Sequence, residues 1–122
     1  MSFDVSANTD YLFEFFLVHA SDAATTGLKV AVTCPASPTY IVYRTEISVL
    51  NTANGTDNIE SETEVASGGT HTAADQFGTG NSLAIIRGVL SNSSAGKLTL
   101  QIAGDAAANL TAKKGSYGRL WV

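Results

Sequence analysis

Apolar residues recur at every second position through much of this 122-residue chain, the period of a strand whose alternate side chains face opposite sides of a sheet. From Tyr11 to His19, one face carries Tyr11, Phe13, Phe15 and Leu17, and the other carries Leu12, Glu14, Phe16 and Val18. With both faces largely apolar, the run predicts a central strand covered by the core on one side and by something else, such as another subunit, on the other. Leu28, Val30 and Val32 alternate with Lys29, Ala31 and Thr33, which predicts a half-buried strand. Pro35 and Pro38 then break the ladder, since neither can donate to it. A long strand follows from Thr39, with Ile41, Tyr43, Ile47 and Val49 on one face and Arg44, Glu46 and Ser48 on the other.

Residues 82–91 are apolar on both faces, with Leu83, Ile85 and Val89 opposite Ala84, Ile86 and Leu90, and Arg87 interrupting them. A tight loop leads into Lys97 to Ala103, where Leu98, Leu100 and Ile102 share a face, and Tyr117 to Val122 predicts a last strand after a turn at Lys113-Lys114-Gly115. Between residues 51 and 81 the pattern lapses into turn formers, Asn54-Gly55, Gly68-Gly69 and Gly78-Thr79-Gly80. Within it, Ile59 to Val65 reads as a strand with Glu60, Glu62 and Glu64 on one side, a solvated edge that resists sheet-to-sheet pairing. About eight short strands and no segment of helical period predict an all-β chain. The expected architecture is a single domain over residues 1–122, an antiparallel two-sheet β-sandwich of jelly-roll type.

Composition narrows the partners. Charged residues make up only 15% of the chain, against about 25% in an ordinary soluble domain, so part of the surface is expected to be covered. The net charge of −4 comes with seven scattered basic residues, which excludes a phosphate-neutralising surface and with it nucleic acid. The densest apolar run, residues 10–20, is no membrane anchor: it contains Glu14 and falls short of the ~20 apolar residues a spanning helix needs. Nor is it a signal peptide, since no Lys or Arg precedes it. Cys34 is the single cysteine and reads as a small buried apolar residue. The sequons at Asn54, Asn92 and Asn109 read as chance in an Asn- and Ser-rich chain.

No catalytic, cofactor-binding or metal motif is present. Asp57, Asn58 and Glu60 are hard oxygen donors, but no calcium-loop spacing joins them. His19 and His71 lie at no spacing that recommends either as a base. Arg87 is expected to pair with Glu14 or Glu46, as a charge within an apolar strand must. Aromatic strands in a chain poor in charge point to a subunit contact, and Tyr11, Phe13, Phe16, Val18, Tyr117 and Trp121 are its candidate residues. The expected protein is a homo-oligomer without enzymatic activity.

Residues 7–39, with "NTDYLFEF", "AATTGL" and "PASPT", followed by "YRTEI" (43–47), "AIIRGVL" (84–90), "AGKLTLQIA" (95–103) and "AKKGSYGRLWV" (112–122), resemble a recurring module of tailed-bacteriophage structural proteins. The resemblance implies a trimeric β-sandwich on the virion surface, made in the host cytoplasm, that serves as a capsid decoration or head-fibre component or as the tip of a tail fibre. The implied partners are further copies of itself and the major capsid protein or another virion protein. For a fibre tip, a host-surface glycan would sit on the loops between residues 51 and 82. A small chain without a shaft favours decoration. Relatives carry more sequence before the first block, so the sheet is expected to lack an edge strand or to borrow one from a neighbour.

Overall fold

The structure is a computed structural model, and it describes residues 1–23, 25–51, 56–73, 80–106 and 108–122. Ten strands are present among them: β1 (Ser2–Val5), β2 (Thr9–Ser21), β3 (Leu28–Thr33), β4 (Tyr40–Asn51), β5 (Thr56–Glu64), β6 (Thr70–Thr72), β7 (Ser82–Asn92), β8 (Gly96–Gly104), β9 (Leu110–Ala112) and β10 (Tyr117–Trp121). They form two antiparallel sheets, a four-stranded one in the order β1-β8-β3-β6 and a six-stranded one in the order β10-β2-β7-β4-β5, with β9 also paired to β2. β1 pairs with β8, β2 with β7, β3 with β6 and β4 with β5. That is one long hairpin folded over so that successive pairs fall in opposite sheets, the jelly-roll arrangement.

The core lies where the inward residues of the two sheets meet. Phe13, Phe15 and Leu17 of β2 and Ile41, Tyr43 and Ile47 of β4 are buried, as are Leu28, Val30 and Val32 of β3 and Leu98 of β8. Tyr43 ties the layers together: its hydroxyl donates to the Gly69 carbonyl at 2.5 Å and accepts from the Val32 N–H at 3.3 Å. Burial raises its phenol pKa above the ordinary value. Gly88 leaves the slot that the Phe13 and Tyr43 rings occupy, because a Cβ there would lie 2.4 Å from the Val42 carbonyl and 2.5 Å from Tyr43 Cβ. At Gly115 the backbone takes φ 101°, and the Ser116 N–H closes the expected turn onto the Lys113 carbonyl.

Two more strands are present than the expected eight, and three of the ten were not among those the alternation picked out. β1, β6 and β9 have only four, three and three residues, too short for alternation to stand out from a turn. β1 also corrects the expectation of a missing or borrowed edge strand, since Ser2 to Val5 pair in register with Thr99 to Gly96. β5 is an edge strand as expected, but its glutamates face the other layer. Glu60, Glu62 and Glu64 lie opposite Ile47, Thr45 and Tyr43, on the inward side, where the narrower four-stranded sheet no longer covers the broader one. The expected turns at Asn54-Gly55 and Gly78-Thr79, the Asn54 sequon and the Asp57 side chain lie outside the described residues. Among the described residues no helix is long and apolar enough to cross a membrane.

Candidate functional site: the outer face of the six-stranded sheet

The two outer faces of the sandwich differ in chemistry. On the four-stranded sheet the outward residues are small or polar: Lys29, Ala31 and Thr33 of β3, Lys97, Thr99 and Gln101 of β8, and Thr70 and Thr72 of β6. Lys97 pairs with Asp4 at 2.7 Å. That face is an ordinary solvated one. The six-stranded sheet instead leaves Leu12 57%, Trp121 44%, Val42 40%, Tyr40 48% and Tyr117 38% exposed.

Register arranges these residues in transverse rows, because residues directly opposite in an antiparallel pair share a face. One row is apolar from end to end, Trp121 beside Leu12, Leu12 beside Val89 and Val89 beside Val42. The next is charged: Arg119 beside Glu14, Glu14 beside Arg87 and Arg87 beside Arg44. A third runs Tyr117, Phe16, Ile85 and Glu46. Between the first two rows lies a shallow depression of about 530 Å³, bordered by Leu12, Glu14, Arg87, Val89 and Trp121.

Two arginines opposite one another, Arg44 and Arg87, would repel. Glu46 relieves this, with Oε2 2.9 Å from Arg87 Nη2 and Oε1 3.4 Å from Arg44 Nε. The arginine side chains are more than half exposed, so each pair contributes at most about 1 kcal/mol and fixes geometry more than stability. Arg87 therefore pairs with Glu46, one of its two expected partners. Glu14 stands between Arg119 and Arg87 in register, yet it makes no ion pair within 4 Å among the described residues. Beside this row Phe16 stacks on Tyr117 with centroids 5.1 Å apart, and the Arg119 guanidinium lies 5.0 Å from the Tyr117 ring centre, a cation–π layer at the sheet edge.

Of the six residues expected at a subunit contact, four lie on this face. Tyr117 and Trp121 are exposed, and Phe16 and Val18 are half-buried. Tyr11 and Phe13 are corrections: they are 6% and 2% exposed inside the sandwich. Alternation paired them with Phe15 and Leu17, and that whole set faces the second sheet. Leu12, Val42 and Val89 also lie on this face and were not singled out, although the parity of Leu12 with Phe16 was already visible.

A polar cluster the spacing did not suggest closes the open end of the sandwich. Thr45 Oγ1 and His71 Nδ1 are 2.5 Å apart, and His71 Nε2 lies 3.8 Å from Glu62 Oε2. The order hydroxyl, imidazole, carboxylate is that of a nucleophilic triad. However, Thr45 is fully buried and His71 is 4% exposed, so no substrate carbon can reach the hydroxyl, and the cluster links β4 and β5 to β6 across the layers. Cys34 is a free thiol of intermediate burial packed against the core. No group of three or more His, Cys, Asp or Glu side chains among the described residues is placed to hold a metal ion.

No protein-family model matches this chain, and no curated protein and no solved structure matches it significantly.

Proposed function

We propose that this protein is a non-enzymatic assembly module that associates with itself and decorates the surface of a tailed-phage virion. The observation that carries the assembly half is the contrast between the two outer faces, one solvated and the other with Trp121, Leu12 and Val42 exposed in a single row. Exposed apolar and aromatic side chains gathered on one face, in rows on either side of a charged one, mark a protein contact. The virion half rests on the sequence blocks quoted above, and the resemblance implies a trimer. A jelly roll by itself does not choose, because viral capsid and lectin domains share it.

Co-purification supplies the test: the protein should accompany capsids in a fixed ratio to the major capsid protein. Cryo-electron microscopy that finds it only at the tail would overturn decoration. Light scattering at low micromolar concentration tests self-association, and a mass near that of one chain, 12.7 kDa, would overturn it.

A second reading has its own observation. The depression beside Trp121 combines an exposed indole with the carboxylate of Glu14 and the guanidinium of Arg87, the mix of flat apolar surface and hydrogen-bonding groups that suits a sugar ring. A tail-fibre tip binding a host-surface glycan would use it. Binding on a glycan array that disappears in Trp121→Ala would favour this reading over decoration.

A further inference from the structure

We propose that the outer face of the six-stranded sheet pairs with the same face of a second copy, about a two-fold axis parallel to the strands and centred between β2 and β7. The inference rests on the self-association half of the proposed function and replaces three-fold by two-fold symmetry. A two-fold contact brings one patch against itself, so the patch must be self-complementary. An axis parallel to the strands keeps every residue at its own row and reverses the strand order, so that β10, β2, β7 and β4 face β4, β7, β2 and β10.

Each row then meets a matching one. In the apolar row Leu12 faces Val89 of the second copy and Trp121 faces Val42. In the charged row Glu14, which has no ion-pair partner among the described residues of its own chain, faces Arg87 of the second copy, and the contact occurs twice. In the third row Phe16 faces Ile85, and the Tyr117 hydroxyl can donate to Glu46, whose carboxylate retains lone pairs beyond those used by Arg44 and Arg87. At the rim Arg119 faces Arg44. These two cations already lie against Tyr117 and Glu46 respectively, and sheets packed face to face cross at about 30°, which separates rim residues most and central ones least.

Other placements of the axis fail on charge or on extent: between β10 and β2 it opposes Glu14 to Arg119 but covers only those two strands. Centred on β2, it sets Glu14 against itself. Centred on β7, it sets Arg87 against itself, and between β7 and β4 it sets Arg87 against Arg44. An axis across the strands through the apolar row opposes Glu14 to Asp10 and leaves Phe16 and Ile85 uncovered. The extent also suffices: three strands with about nine facing residues each and the five residues of β10, about 4.8 Å apart, cover on the order of 500 Å² in projection. Accessible area exceeds projected area, so the face approaches the ~800 Å² per partner of a standard interface.

Light scattering across a concentration series should give twice the 12.7 kDa chain mass. Glu14→Arg and Arg87→Glu, each alone, should weaken the dimer on the order of a hundredfold, because like charges then face each other twice. An equimolar mixture of the two variants should restore dimers that contain one chain of each, since both facing pairs of positions 14 and 87 are again opposite in sign. Circular dichroism melts check that each variant is folded. A trimeric mass, a dimer indifferent to both charge reversals, or folded variants whose mixture stays monomeric would overturn the two-fold pairing. The first two outcomes leave self-association standing, whereas a monomeric wild-type chain would overturn both.

Discussion

His19 occupies the inward side of β2 with no surface exposed, opposite Ser82 and Ala112 in register. Desolvation lowers its pKa from the ordinary 6.5 to about 4, since a buried imidazole is more costly to charge. As pH falls, the unfolded chain takes up the proton first. Stability should therefore be constant above about pH 7, fall through the window from about pH 6.5 to about pH 4, and level off below it, a loss of about 3 kcal/mol. Urea melts at both ends of that window measure it. His19→Asn, which has no proton to gain there, should lose correspondingly less, and equal acid losses in the two proteins would show that other groups cause them. The sequence placed His19 at the end of a strand, on the parity of Tyr11 and Phe15. Its burial depends on β7 and β9, which arrive from far along the chain.

At the scale of the element, β5 shows how parity can be legible while orientation is not. The alternation of Glu60, Glu62 and Glu64 identified an edge strand with three like charges on one side. Which side they take follows from pairing with β4, whose Ile47, Thr45 and Tyr43 point inward. Charges facing inward on an edge strand prevent another sheet from extending the ladder there. Replacing all three glutamates by Thr keeps strand propensity while removing that guard, so the triple variant should aggregate at lower temperature or concentration than the wild type. Turbidity during a thermal ramp reads this, and an unchanged onset would mean that the edge is protected by something else. The same replacement removes the Glu62 carboxylate that lies 3.8 Å from His71 Nε2. β1, β6 and β9 were not legible for a different reason: strands of three or four residues carry almost no periodic signal and are made by their partners.

Across the whole molecule, the pairing is almost entirely between distant segments. Met1 bonds through its carbonyl to the Leu100 N–H, β2 is flanked by β7 and β10, and Tyr43 reaches Gly69 across the core. Loop closure must precede most of the favourable contacts, so refolding should fall in the millisecond-to-second range of all-β sandwiches rather than the microsecond range of helical bundles. Stopped-flow fluorescence after dilution from urea checks this, and a microsecond phase carrying the full amplitude would contradict it. The same non-locality builds the outer face, because Trp121, Leu12, Val89 and Val42 become one row only through three separate registers.

The sequence alone determined the strand class, the sets of residues that share a face and the poverty of charge that asks for a covered surface. Alternation and composition are properties of neighbouring residues and survive without any tertiary contact. The structure decided which face of each strand turns inward. Tyr11 and Phe13 went to the core and Leu12, Phe16 and Val18 to the outside, because the Glu14 face is shared with Arg87, Arg44 and Glu46, charges that keep to water. It also decided that Glu46 holds Arg87 while Glu14 makes no ion pair among the described residues. Register between strands far apart in the chain sets that choice, and no local pattern encodes it.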